Sequence, residues 1–167
     1  MPFQIDDQVV HPAHGVGCIV ALVTKRFSEA EARLYYEVAI KKASTVWVPV
    51  DASTADGLRP LTPKNELARY RGVLRSRPAP LNPDHRQRRL DLLSRMKGAS
   101  FQAICEIVRD LTARGWLKAL SEMDSAALRK TREGLCQEWA AVDGVSVLQA
   151  TDEVVALLLE GRQTYQA

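Results

Sequence analysis

Few side chains in this sequence could carry catalytic or metal chemistry, and two histidines near its start are the most suggestive. His11 and His14 are three residues apart, but Pro12 places them in a turn and no nearby cysteine or carboxylate completes a ligand set. A structural turn is the favoured interpretation. A glycine-rich phosphate loop, a nucleophile elbow and a paired-carboxylate motif are all missing. We therefore predict that the protein is not an enzyme and needs no metal or cofactor.

The cysteines and the composition indicate a soluble protein. Cys18, Cys105 and Cys136 are widely separated and form no Cys-x-x-Cys pair, which favours reduced thiols that face the core. The chain is 26% charged and 46% hydrophobic, and no apolar run approaches the roughly 20 residues that span a bilayer. The first residues do not resemble a signal peptide. These features predict a cytoplasmic protein without membrane contact. We expect the protein to be monomeric, although none of these features determines its oligomeric state.

Positive charge is concentrated in the middle of the chain. Residues 61–97 contain ten basic and three acidic side chains, a net charge of +7, whereas residues 1–60 carry −1 and residues 98–167 carry −3. A cationic helical face neutralises nucleic-acid phosphates without reading sequence. Most charge runs are solvated surfaces, but the size of this asymmetry favours nucleic-acid contact.

The spacing of apolar residues predicts which secondary-structure elements position these histidines and basic side chains. Alternating and β-branched residues predict strands at about 8–11, 16–24, 33–41 and 44–50, with a short closing strand near 58–61. Polar loops are expected at 28–32 and 41–44, and a polar turn at 51–57. Consecutive short strands of this kind predict a small Tudor- or SH3-like antiparallel β-barrel.

Beyond Pro60 the apolar spacing changes to three or four residues, which predicts a compact domain of five helices. The second helix is expected to place Arg86 and Arg89 on one face and to pack Leu90, Leu93 and Met96 on the domain, with Leu92 a further candidate. Trp116 and Trp139 are expected to pack between helices. The residues that start and stop helices predict the five boundaries. The first helix is expected from Pro63 to before Pro78, and the second from an Asn82 N-cap, with Pro83 at the first position, to Gly98. The third should run from a Ser100 N-cap to near Gly115, the fourth from an Asp124 N-cap to near Gly144, and the last should end near Gly161.

The ordered motifs resemble the CarD/CdnL family of bacterial transcription regulators, whose amino-terminal module also occurs in the transcription-repair coupling factor. The resemblance extends to about residue 160. Its matching residues are Phe3, Asp7, Val9, Val10, Pro12, His14, Gly15, Gly17, Thr24, the segment Thr45-Val46-Trp47-Val48-Pro49, Gly57, Arg59, the segment Val108-Arg109-Asp110-Leu111, and Leu120-Ser121. The resemblance implies an RNA polymerase-interacting β-barrel domain at 1–62 and a helical, DNA-facing domain at 63–167.

The family's function implies two partners and a location. A protein similar to CarD would bind the RNA polymerase β subunit and contact promoter DNA at the upstream edge of the bubble. It would modulate the stability of the open complex, through minor-groove and phosphate contacts that are largely independent of sequence. The protein would thus associate with the nucleoid through polymerase.

The resemblance also assigns candidate DNA-binding residues. The family's wedge tryptophan, early in the second helix, falls at His85, and a lysine common in the family falls at Leu90. The penultimate helix would add basic residues. The candidate DNA-binding set is His85, Arg86, Arg88, Arg89, Lys130 and Arg132.

The candidate polymerase-binding residues follow from the same resemblance. Basic residues at the end of the second strand survive as Lys25 and Arg26, whereas a basic position in the fourth strand is occupied by Trp47. Strand alternation points Trp47 outward if Val46 and Val48 face the core. The candidate polymerase-binding set is Lys25, Arg26, Val46 and Trp47.

Two alternatives remain open. One is a family member that binds polymerase but has altered or lost the DNA wedge. The other is a protein-interaction module whose partner is not polymerase and whose basic helices are merely solvated.

Overall fold

The structure, a computed structural model, describes residues 3–29, 31–40, 44–52 and 57–165. The chain divides into two compact units, Met1–Leu61 and Thr62–Ala167. We call them the sheet unit and the helical unit. Part of each of the predicted polar loops at 28–32, 41–44 and 51–57 lies outside the described residues.

The sheet unit is a five-stranded sheet with the order β4-β3-β2-β1-β5, in which all neighbouring strands are antiparallel. The strands are β1 (Gln8–His11), β2 (Gly15–Lys25), β3 (Arg33–Ile40), β4 (Ser44–Pro49) and β5 (Arg59–Pro60). The inner face buries a cluster of large side chains, comprising Val9, Ile19, Tyr36, Val38 and Val48. Among the described strands β4 and β5 do not pair, so the sheet is open, which is consistent with a Tudor-like fold.

The described part of the helical unit contains a 3-10 turn at Lys64–Glu66 and five α-helices. They are α1 (Leu67–Arg75), α2 (His85–Met96), α3 (Phe101–Leu117), α4 (Glu122–Asp143) and α5 (Val147–Tyr165). The prediction of an α+β chain, with an antiparallel sheet followed by five helices, is confirmed. Trp139 is fully buried, its ring centroid 6.2 Å from that of Phe101, as expected for a packing residue. Trp116 is half-buried beneath the Arg162 guanidinium.

Two of the predicted helix caps are wrong. Asp84, not Asn82, caps α2 and accepts from the Gln87 N–H at 2.8 Å, because Asn82 instead accepts from the Asp84 N–H in a preceding turn. Ser121, not Asp124, caps α4. Each segment offers two polar side chains suited to capping, and spacing alone does not choose between them. The Ser100 cap of α3 is as predicted.

Gly161 lies inside α5 and does not end it. Its Cα faces the backbone of Arg75 in α1, and a Cβ added there would lie 3.0 Å from the Arg75 carbonyl oxygen. A glycine therefore permits the close approach of these two helices, and α5 continues to Tyr165. The glycine is a packing residue, which accounts for the wrong prediction of the helix end. No helix in the described part of the chain is long and apolar enough to cross a bilayer.

Replacing Gly161 with alanine is expected to destabilise the helical unit by about 1–3 kcal/mol, because the added methyl group meets backbone that cannot rotate away. Gly134→Ala in α4 is the matched control, since a Cβ there meets nothing within 4 Å. The control should stabilise by about 0.5–1 kcal/mol through helix propensity. Urea unfolding followed by far-ultraviolet circular dichroism measures both changes. Equal effects of the two substitutions would contradict the proposed close approach.

Candidate nucleic-acid interface and partner-binding edge

Strand β4 forms one edge of the sheet and exposes Trp47. In the register of β3 with β4, Val46 lies opposite Val38 and Trp47 lies opposite Glu37. Val48 is buried, Val46 packs against the inner cluster, and Trp47 is 39% exposed on the opposite face. The alternation predicted from the sequence is therefore present. Val46 does not share a face with Trp47, so its side chain is not part of the same exposed surface.

Lys25 and Trp47 are brought together by the structure. The Lys25 Nζ atom lies 3.6 Å from the centre of the Trp47 ring, which is the geometry of a cation–π interaction. Arg26 follows directly after β2 and is exposed, with its guanidinium near the Glu29 carbonyl. The pair holds a charged group and a large aromatic ring in one fixed arrangement on the outer face.

Two further aromatic residues extend this outer face, and sequence reasoning missed both. Tyr35 alternates with the buried Tyr36 and so lies on the same side of the sheet as Trp47. Phe27 is 49% exposed and packs edge-to-face on Tyr35, with ring centroids 5.3 Å apart. The strand alternation would have placed Tyr35 correctly. We call Lys25, Phe27, Tyr35 and Trp47 together the aromatic edge.

The two histidines form a turn. The His11 Nδ1 atom accepts hydrogen bonds from the backbone N–H groups of Ala13 at 3.0 Å and His14 at 3.2 Å. Partial burial, and then the charge of His14, lower the pKa of His11 from its ordinary value. The neutral ring is the form that accepts these bonds. Within the described part of the chain, no three His, Cys, Asp or Glu side chains group as a metal site requires.

The buried thiols belong to the core. Cys105 and Cys136 are buried, Cys18 is half-buried, and none of the three forms a disulfide. Burial raises the pKa of the Cys136 thiol, although the nearby Thr151 hydroxyl and Arg132 oppose the change. A thiol with a raised pKa is a poor nucleophile.

Half of the ten basic side chains in the 61–97 block are neutralised by carboxylates. Pairs within 4 Å join Arg69 to Glu66, Arg71 to Asp143 and Glu153, Arg75 to Glu160, Arg88 to Asp124, and Arg95 to Asp110. Among the described residues, Lys64, Arg77, Arg86, Arg89 and Lys97 have no such partner. Three of these five, Arg86, Arg89 and Lys97, lie on α2 or just past its end and are exposed. Most of the unpaired charge of the block therefore lies on or beside one helix.

Arg88 occupies a different environment from its neighbours. Its side chain is only 5% exposed, and its Nε atom donates to the equally buried Asp124 carboxylate at 2.9 Å. Its remaining nitrogens donate to the carbonyls of Asn82 at 3.0 Å and Pro83 at 3.3 Å and lie 3.2 Å from the His85 Nδ1. Arg88 thus fixes the start of α2. Its guanidinium is not available on the exposed basic surface to which the sequence analysis assigned it.

The other candidate DNA-binding residues lie on α2 and α4, two helices that the Arg88–Asp124 ion pair joins. His85 begins α2, and Arg86 and Arg89 follow on its exposed side. Lys130 is exposed and Arg132 half-buried on α4, whose Ala127 and Leu128 contact the small cluster around Leu92. The segment before α2 is also anchored to α3, because the buried Asp110 carboxylate accepts a hydrogen bond from the Ala79 N–H at 2.9 Å.

The expected packing of α2 is wrong in one respect. Its buried stripe is Arg88 and Leu92, with Met96 partly buried, at intervals of four residues. Leu90 and Leu93 are 53% and 54% exposed instead. The Arg88–Asp124 ion pair directs the Arg88 side of α2 toward α4. Leu90 and Leu93 therefore lie on the exposed side of the helix.

Comparisons with known proteins agree with this architecture. Residues 3–62 match the model of the CarD-like/TRCF RID domain, and residues 71–155 match the model of the CarD C-terminal domain. A relative from Bacillus subtilis (strain 168), "Putative transcription factor YdeB", is 28% identical over 148 residues, covering 88% of this chain and 96% of the relative.

An open Tudor-like sheet followed by a helical unit, each matching the corresponding family model, defines a transcription regulator of the class that interacts with RNA polymerase. The chain belongs to the CarD family. The family is one of transcription regulators and corresponds to no known enzyme class.

Proposed function

We propose that this protein binds the RNA polymerase β subunit through its β4 edge and contacts promoter DNA at the upstream edge of the bubble through α2, thereby modulating the stability of the open complex. The observation that carries the proposal is the Lys25–Trp47 pair, exposed on a sheet edge within the region that matches a polymerase-interacting domain. The two contacts use different chemistry and are separable by mutation.

The polymerase contact is supported by the form of the edge. An edge strand offers backbone groups to which a partner strand adds, and alternate side chains give such pairing its specificity. Trp47 supplies an anchor of large apolar area, and large aromatic residues dominate the energy of many interfaces. Lys25, already placed over the ring, adds a charge that favours an acidic partner surface.

The DNA contact is supported by the unpaired cations of α2. Arg86 and Arg89, with Lys130 on the neighbouring helix, supply phosphate contacts that bind without sequence readout and weaken with salt. His85 stands exposed at the start of the helix, where its ring is able to stack on a base or donate to a base edge. We expect Arg88 to position this surface rather than to touch DNA.

Regulation then needs no chemical step. A protein that binds the open complex more tightly than the closed complex shifts the equilibrium by the ratio of the two affinities. A tenfold difference in affinity corresponds to about 1.4 kcal/mol, which two or three additional phosphate or base contacts are able to supply.

The lifetime of the open complex on a promoter fragment tests the proposal. We expect the protein to change that lifetime and Arg86→Gln with Arg89→Gln to remove most of the change. Arg114→Gln with Lys118→Gln is the matched control, because it deletes the same charge outside the proposed DNA-binding set and should keep the change intact. A lifetime insensitive to the unmodified protein would reject the proposal. Polymerase binding without any change of lifetime would instead identify a member that has lost the DNA contact.

A further inference from the structure

One side of α5 is apolar and is not covered by the other helices. Leu148, Val155 and Leu159 follow at intervals of seven and four residues, so they lie on one side of the helix. They are 71%, 37% and 45% exposed, respectively. Residues that α5 buries, such as Ala150 and Leu157, lie on the opposite side. We call the side that carries Leu148, Val155 and Leu159 the outer face of α5.

Two opposite charges lie on this outer face. Asp152 and Arg162 are both exposed, and with 3.6 residues in each turn they lie about 40° to either side of Leu148 around the helix. Ten residues, or about 15 Å of helix axis, separate them. The Arg162 guanidinium lies 5.1 Å from the centre of the Trp116 ring, which restricts where its charge is placed.

The other acidic residues of α5 are already paired within the helical unit. Glu153 contacts Arg71 and Glu160 contacts Arg75, both on α1. Among the described residues Asp152 has no cation within 4 Å. The outer face therefore carries one unpaired carboxylate and one guanidinium, with apolar residues between them.

The order of these groups is self-complementary about a twofold axis. If two copies of α5 pack antiparallel, with the axis at the level of residue 157, Asp152 of one copy lies opposite Arg162 of the other. Val155 then lies opposite Leu159, and each of these contacts occurs twice. A polyanion or an anionic membrane surface would attract Arg162 but repel Asp152, so the outer face favours neither.

We propose that two copies of this chain associate through the outer face of α5 as an antiparallel twofold dimer. The inference is independent of the proposed polymerase and DNA contacts, because α5 carries none of the residues assigned to them. One pair of helices buries less than about 1,200 Å², which is the size of a weak, reversible complex. We therefore expect a monomer–dimer equilibrium, in contrast to the monomer expected from the sequence.

Sedimentation equilibrium of the full chain across a concentration series tests the dimer. Asp152→Lys and Arg162→Glu should each weaken self-association at least about tenfold, because each substitution places like charges opposite one another twice. The two substitutions together exchange the charges and should restore self-association to within about threefold of the unmodified chain. Circular dichroism checks that all three variants are folded. A folded double variant that associates no better than the single variants would overturn the proposed pairing.

The apolar contact has its own variant and control. Val155→Gln with Leu159→Gln should weaken self-association at least about tenfold, because it removes apolar surface from both copies. Leu90→Gln with Leu93→Gln is the matched control, since these leucines are comparably exposed on α2 and should not affect self-association.

Three results would overturn the inference. The first is an unmodified chain that is monomeric throughout the concentration series. The second is self-association that the charge reversals on α5 leave unchanged. The third is a monomeric chain whose binding to polymerase is weakened by Val155→Gln with Leu159→Gln, which would assign the outer face of α5 to polymerase instead of a second copy.

Discussion

Arg88→Ala is expected to destabilise the helical unit by about 3–5 kcal/mol, because it leaves the Asp124 carboxylate buried without its counter-charge. Both side chains are only 5% exposed, and their hydrogen bond is 2.9 Å long. The substitution also removes the donors to the carbonyls that precede α2. Since a domain of this kind is stable by about 5–15 kcal/mol in total, a large fraction of that stability would be lost. Urea unfolding followed by circular dichroism measures the change.

The neighbouring Arg89 supplies the matched control for this experiment. It is exposed and has no carboxylate within 4 Å among the described residues, so Arg89→Ala should change the free energy of unfolding by less than about 0.5 kcal/mol. Asp124→Ala added to Arg88→Ala should recover part of the loss, because no buried charge then remains. Equal, small effects of the two arginine substitutions would show that the buried ion pair does not hold α2.

The contrast between Arg88 and Arg89 marks where sequence reasoning reaches its limit. Arg88 is paired and Arg89 is not, because Asp124 contacts Arg88. Asp124 is 36 residues from Arg88 in the chain, and no local sequence pattern encodes a contact over that separation. The same pair decides the rotation of α2. The spacing of Leu90, Leu93 and Met96 suggested a buried face, but burial of Arg88 exposes the two leucines. The basic block can be recognised in the sequence. Which half of its side chains is neutralised by carboxylates depends on the fold and cannot.

The sheet unit was more predictable, because strand alternation relates each residue directly to a face. Buried Val48 and exposed Trp47 follow from a period of two residues, and their register with β3 is short-range. Strand alternation alone does not predict the whole aromatic edge. Phe27 lies beyond the end of β2, where strand alternation no longer assigns a residue to a face, and it packs on Tyr35.

The aromatic edge gives the second large prediction. Trp47→Ala should weaken binding to a polymerase β-subunit fragment by about 30- to 1,000-fold, or roughly 2–4 kcal/mol, if the indole anchors the interface as central aromatic residues do. Trp47 is exposed in this protein, so the variant should remain folded, which circular dichroism checks. Tyr165→Ala in α5 is the matched control, because that ring is 42% exposed in the helical unit and should leave binding unchanged.

Lys25 then shows whether the anchor acts as a pair. With Nζ placed 3.6 Å from the ring centre, Lys25→Ala should weaken binding by itself but have less effect once Trp47 is alanine. The double-mutant cycle should show coupling of about 0.5–2 kcal/mol, the range of a cation–π contact that becomes desolvated. Additive effects would assign the two residues to separate contacts. Undiminished binding by the double variant would remove the outer face of β4 from the polymerase interface, because no other exposed tryptophan in the described part of the sheet unit could replace it.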